Sequence, residues 1–185
     1  MIENLKRHKM DIFKYKLFKP EIHQSCYLAD GVKIIGQVKL EANVNIWFNS
    51  VVRGDVNKIV IGENTNVQDL SMLHVTEKDP LIIGKNVTIG HSAVLHACTI
   101  EDGSLIGMGA TILDGAHIGK RCLVAAGSVV PPGKVYPDES FIVGSPAKVL
   151  RSLSKEEILG YSNHYKSYVA YAKEFMDELI VSKIN

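Results

Sequence analysis

The chain is poor in several things, and each shortage removes a class of protein. Its three cysteines, Cys26, Cys98 and Cys122, are isolated and odd in number. That excludes a disulfide framework and points to a reducing compartment, with the cytoplasm as the expected location. Cys98 and Cys122 fall where small residues recur, so they read as small buried apolar side chains. No apolar run reaches the roughly 18 residues of a membrane span, so no membrane association is expected. No sign of charge dominates: 21 Lys and Arg face 20 Asp and Glu, a net charge of +1. The chain therefore has no global basic field to draw nucleic acid or anionic lipid. The opening stretch, MIENLKRHKMDIFKYK, lacks the unbroken apolar core of a signal peptide. Finally, residues 30–135 carry no amphipathic helical stripe, which excludes a doubly wound α/β fold.

What the sequence does have is a six-residue period. Aliphatic residues return at Ile34, Leu40, Ile46 and Val52, then after a three-residue slip at Ile61, Val67 and Leu73. After a four-residue slip they resume at Ile83, Ile89 and Leu95, and after one short unit at Ile100, Ile106, Ile112, Ile118, Val124 and Val130. This is neither the period of a helix nor that of a flat strand; it is the hexapeptide pattern of a parallel β-helix. Three hexads make one triangular coil, with the aliphatics stacked inside. Pro131, Pro132 and Pro137 are expected to end the ladder. Beyond it, Ser154 and Glu157 form a capping box, and Ile158, Tyr161, Tyr165, Tyr168, Tyr171 or Ala172, Phe175 and Leu179 form a helical stripe. The fold class is therefore mainly β: a β-helix over residues 15–150, a C-terminal helix over 151–185 packed on it, and an N-terminal arm over 1–14.

The repeat gives every polar residue an address. His74 and His96 both follow an inward leucine, and Leu73 to Leu95 spans 22 residues, one coil plus the four-residue slip. The two histidines therefore stack in adjacent coils with backbones about 4.8 Å apart, close enough to share a zinc ion. His91 falls in the preceding hexad, on a neighbouring face. It cannot easily reach the same metal within one chain, but in a three-fold assembly of prisms it can meet the pair of a second chain. Three protein ligands leave a position open for water, as in catalytic zinc sites. One histidine alone would read as a surface or core residue; three with convergent addresses read as ligands. By the same register Arg53 stacks below His74, with Asp55 two residues on, while Gln68 and Asp69 share the face of His91. For Arg53 and Asp55 a plain ion pair explains the residues equally well.

These stretches, RGD at 53–55, NVQDLSMLHV at 66–75, TIGHSAVLHACTI at 88–100 and LIGMGATILDGA at 105–116, closely resemble the gamma-class carbonic anhydrases and their carbonic-anhydrase-like relatives. The resemblance implies a left-handed β-helix and a homotrimer with zinc at the subunit interfaces, Fe2+ or Co2+ being the other candidates. It implies His74, His91 and His96 as ligands and an inter-subunit Arg53–Asp55 pair. Gln68 would orient a metal-bound hydroxide, Asn66 would help to bind bicarbonate, and Asp69 would support the site. The implied reaction is reversible hydration of CO2 by a zinc-bound hydroxide. Proton export in well-known members uses one Glu after the Arg-Gly-Asp and another in a longer acidic loop. Here Val56 occupies the first position and the loop is only TEKDP, leaving Glu77 as the substitute. Short-loop relatives are often weak in this reaction. Three alternatives follow: a hexapeptide acyl-CoA transferase that uses one His as general base, a thioesterase, or a metal-binding relative with little CO2 hydration. Tyr161, His164 and Tyr165 on the helix are left without an assigned place.

Overall fold

A computed structural model describes residues 11–177, and they form a left-handed parallel β-helix followed by a helical segment. Each coil has three short strands. The first face stacks Val51–Arg53, Met72–His74, Val94–His96, Thr111–Ile112 and Val129–Val130. The second stacks Ile59–Ile61, Leu81–Ile83, Thr99–Ile100, His117–Ile118 and Val135–Tyr136. The third runs from Tyr27–Leu28 through Asn45–Ile46, Asn66–Val67, Thr88–Ile89, Leu105–Ile106 and Leu123–Val124 to Phe141–Ile142. The inward aliphatics of the hexads, among them Ile34, Ile46, Val52, Leu73, Ile89, Leu95, Ile106 and Val124, are fully buried and form one continuous core.

The ladder holds because each coil donates to the next. Trp47 N–H donates to Val67 O (2.8 Å), Gln68 N–H to Ile89 O (2.9 Å), Gly90 N–H to Ile106 O (2.8 Å) and Gly107 N–H to Val124 O (2.8 Å). Turning a coil within so few residues requires left-handed backbone at the corners. One edge fills those positions with Asn43, Asn64 and Asn86, all with φ near +60°. Asparagine tolerates this conformation and its side chain hydrogen-bonds locally. Here the side chains form a ladder of their own, Asn43 Nδ2 donating to Asn64 Oδ1 (3.0 Å) and Asn64 Nδ2 to Asn86 Oδ1 (2.9 Å).

Three features differ from the sequence reading. The prolines do not end the ladder: Val135–Tyr136 and Phe141–Ile142 add another coil. One coil earlier, the residues at the places of Pro131 and Pro137 are Leu113 and Gly119, which donate onward to Val130 O and Tyr136 O. In the last coil no further coil continues those two ladders, so a residue without an N–H costs nothing there. The helix is two helices, α1 (Lys155–Ser162) and α2 (Tyr165–Met176), broken at Asn163 and His164. The Ser154–Glu157 capping box is formed as read. Only α2 is firmly docked: Trp47 of the third face lies 5.5 Å from the Tyr168 ring and 5.1 Å from the Phe175 ring. Helix α1 buries no residue, and Leu179 of the expected stripe lies outside the described residues. At the other end the expected arm reaches into the fold, since Asp11–Phe13 pairs in parallel with Lys33–Ile35; residues 1–10 of that arm lie outside the described residues.

Two consequences are testable. Leu95→Ala, in the middle of the stacked core, lowers unfolding free energy by about 2–5 kcal/mol, whereas Leu159→Ala on exposed α1 changes it by less than about 0.5 kcal/mol; chemical denaturation separates the two. Glu157, bonded to Arg151 and to the Ser154 N–H, has its carboxyl held down to about 2. Its folded-state pKa lies below the ordinary carboxylate value, so the cap is at full strength above about 4.5 and weakens as pH falls toward 2. Exchange of the Ile158 amide, corrected for intrinsic rates, accelerates over that interval, and Glu157→Gln abolishes the dependence.

Candidate metal centre

The three departures from the six-residue period fall at one edge of the prism, between the first and second faces. They are the bulge after Arg53, the TEKDP loop and the tightened turn at Ala97 (φ 48°). His74 and His96 are the last strand residues before that edge, and the parallel ladder pairs them directly, with Arg53 paired to His74 in the coil before. Their rings lie 5.0 Å apart.

Each ring is held from behind by a carboxylate. His74 Nε2–H donates to Asp55 Oδ1 (3.0 Å), and His96 Nδ1–H donates to Asp114 Oδ1. Partial burial alone would raise the Asp55 carboxyl. Hydrogen bonds from Arg53 and His74 outweigh it and hold the group below its usual range, so it is a firm acceptor. With the outer nitrogens committed as donors, His74 Nδ1 and His96 Nε2 are left as lone pairs facing one another at 3.0 Å. Two such lone pairs repel unless a cation lies between them, either a proton or a metal ion. Two nitrogens on one tetrahedral zinc sit about 3.3 Å apart, and imidazole donors suit Zn2+, Fe2+ or Co2+. The donor set therefore fits the implied metal.

His91 lies elsewhere. It sits on the turn from the third face to the first, with its Nδ1 2.8 Å from Asp69 Oδ2. The five residues from His91 to His96 cross the whole first face, on the order of 15 Å at strand geometry. Among the described residues of one chain, no three metal-ligating side chains converge. Beneath His91, Gln68 Oε1 accepts the His91 backbone N–H (3.2 Å), Gln68 Nε2 donates to Asn66 Oδ1 (3.3 Å), and Asn66 Nδ2 donates to Thr88 Oγ1 (2.9 Å).

This arrangement changes the reading of three residues. Asn66 is fully buried, so within this chain it props Gln68 and does not present its amide to bicarbonate. Arg53 and Asp55, expected to pair between subunits, pair within the chain, because residues two apart on a strand share a face. Glu77 is exposed on a loop that closes on itself through Asp79 N–H to Thr76 Oγ1 (2.9 Å). Asp114 was missed altogether. Its register was visible, since it lies two positions after Ile112, which stacks on Leu95, but an Asp-Gly pair in this setting reads as an ordinary corner. The helix residues are now placed as well. Tyr161, His164 and Tyr168 line a cleft of about 530 Å³ over the third face, whose floor includes Gln68, Gly90 and His91; Tyr165 is not among its walls.

Comparison with known proteins follows the same lines. Residues 97–132 match the family model described as bacterial transferase hexapeptide (six repeats). Fold and repeat thus define a hexapeptide-repeat β-helix protein. The carbonic anhydrase of Geobacillus kaustophilus is 44% identical over 158 residues, covering 85% of this chain and 87% of that one. Protein YrdA of Escherichia coli is 42% identical over 171 residues, covering 89% and 93%. The chain belongs to the gamma carbonic anhydrase-like family. It is also 40% identical over 179 residues to the mitochondrial gamma carbonic anhydrase 2 of Arabidopsis thaliana, but spans only 63% of that protein's length. Among solved structures, a Bacillus cereus protein provisionally named an acetyltransferase superposes with a TM-score of 0.88 at 42% identity, covering 90% of this chain and 96% of that one. A hexapeptide transferase family protein from Anaplasma phagocytophilum gives 0.84 at 37%, covering 88% and 96%.

The carboxylates behind the rings make a measurable difference. For a Zn2+ ion held by this pair, Asp114→Asn, which replaces the charged acceptor at His96 Nδ1 with a neutral amide, is expected to weaken binding about 10–100-fold. Competition with a chromophoric chelator reads this loss, and the melting temperature of the metal-free protein stays within about 2 °C.

Proposed function

We propose that this protein is a metal-dependent carbonic anhydrase-like enzyme that interconverts CO2 and bicarbonate at sites shared between the copies of a homotrimer. The observation that carries this reading is the His74–His96 pair: two imidazoles, each fixed from behind by a carboxylate, whose remaining lone pairs face across 3.0 Å. His91 of a second copy completes the ligand set, and Zn2+ is the expected ion, with Fe2+ and Co2+ as the other metals such nitrogens accept. A divalent metal there supplies the Lewis acidity that brings the pKa of a bound water near neutrality and so makes a nucleophile for CO2.

The chain's own residues do the remaining work. Asp55 and Asp114 hold the His74 and His96 rings in the tautomer that turns a lone pair toward the shared ion, and Asp69 lies beside the His91 ring. Arg53 holds Asp55 and keeps its carboxyl ionised. Gln68, locked between the His91 backbone and Asn66, fixes the turn that carries His91. The thiols Cys98 and Cys26, both pushed up by burial, stay protonated and do not compete for the metal. Cysteines that are unpaired in the described residues agree with a reducing compartment such as the cytoplasm.

A second reading has support of its own. The solved relatives named as transferases and the apolar cleft beside His91 are compatible with acyl-thioester chemistry. Metal analysis and two assays separate the readings. The enzyme reading expects about one metal per chain and stopped-flow CO2 hydration above the buffer rate. A protein with metal but without hydration, active instead on an acyl-CoA panel, overturns it. The division of ligands between copies has its own test. His91→Ala and His96→Ala chains each lose metal alone, and mixed after unfolding and refolding they recover a fraction of the sites. No recovery from properly assembled mixtures refutes a shared site.

A further inference from the structure

CO2 and water give bicarbonate and one proton, and that proton must leave the site in every turnover. The carboxylates nearest the proposed metal are already engaged: Asp55 and Asp114 each accept a hydrogen bond from a histidine ring, and Asp69 lies against the ring of His91. The two glutamates that the family resemblance implies are missing or displaced. Val56 replaces one, and Glu77 is exposed on the short loop that follows His74. The cleft that begins at Gln68 and His91, however, is walled by Tyr161, His164 and Tyr168. Tyr168 is pushed up by burial and by the Asp69 charge, away from neutrality. Histidine is the one side chain whose unperturbed charge change falls between pH 5 and 8.

We propose that His164 accepts the proton released at the metal site, through water in this cleft, and passes it to solvent. The proposal rests on the carbonic anhydrase reading. His164 occupies the break between α1 and α2, and its side chain makes no capping bond to α2. It is exposed, with its ring 5.5 Å from that of Tyr168. One side of the ring thus faces the cleft that holds His91 and the other faces bulk water, the two sides a relay needs. Because the cleft belongs to the chain that contributes His91, each proton leaves through the copy that supplies one ligand, not the copy that supplies two. The break in the helix has a use on this view: an unbroken helix would carry residue 164 as one more stripe position.

The test uses the full-length, metal-loaded protein in weak buffer. In His164→Ala the kcat for CO2 hydration falls at least about 10-fold, kcat/KM is unchanged, bound metal stays at the wild-type level, and added imidazole restores kcat. Oxygen-18 exchange between CO2 and water, which follows interconversion at the metal, is unaffected. In the Co2+-loaded wild type the His164 ring protons show paramagnetic relaxation that is absent with Zn2+. An unchanged kcat, a loss that imidazole does not rescue, a kcat loss that appears in Glu77→Gln instead, or no paramagnetic effect at His164 overturns the proposal. If the metal-loaded wild type shows no oxygen-18 exchange, the carbonic anhydrase reading itself falls and takes the role of His164 with it.

Discussion

Everything here depends on the hydrogen-bond ladder that joins each coil to the next. A β-helix has no sheet that can slide, because each strand is one side of a closed triangle and the inward aliphatics must stack. A one-residue slip would turn Leu73 and Leu95 outward and bring their polar neighbours into the core. The ladder therefore fixes, with no further interaction, that Arg53, His74 and His96 lie in one column. The site is a consequence of the register before any side chain has chosen a partner.

Stacking alone would make that column unfavourable. Two imidazoles in register can turn away from one another, and Asp55 and Asp114 prevent this by holding the outer nitrogens, so that the inner lone pairs must face. The cost of that arrangement is offset by a cation between them, a proton or the proposed metal ion. Arg53 adds the last constraint, since a positive charge beside Asp55 keeps it an acceptor despite its partial desolvation.

The period made most of this legible. Counting from one aliphatic to the next gave the fold, the core, the pairing of His74 with His96 and the separation of His91, because in a β-helix register and residue count are one quantity. What the count could not supply was anything set by side-chain direction or by the ends of the solenoid. The prolines were misread as a stop because a sequence does not show that the coil they occupy is the last one, where a missing N–H goes unnoticed. Asn66 was read as a ligand-binding amide because its address is beside the site; that α2 and its neighbours bury it is a matter of tertiary packing. Asp114 carries the right address but sits in a dipeptide common at corners, and nothing local marks its carboxylate as aimed at a histidine one coil before. The break at Asn163 and His164 has no Gly or Pro to announce it.

The irregularities of the repeat and the functional residues occupy the same edge, and one cause accounts for both. A perfect hexapeptide prism presents three identical edges of tight turns with no room for a recess. Extra residues after Arg53 and after Val75 push the backbone outward at one edge, which frees Asp55 to fold back onto His74. The short turn at Ala97 draws the next coil in, which brings Asp114 under His96. The opposite edge of the first face keeps its regular turns and presents His91 outward on one of them. A single chain thus builds the two-ligand half of the proposed site at an edge deformed to make it, and the one-ligand half at an edge left regular. A partner of the same sequence brings both halves, so closure by rotation needs no second gene and no second kind of surface.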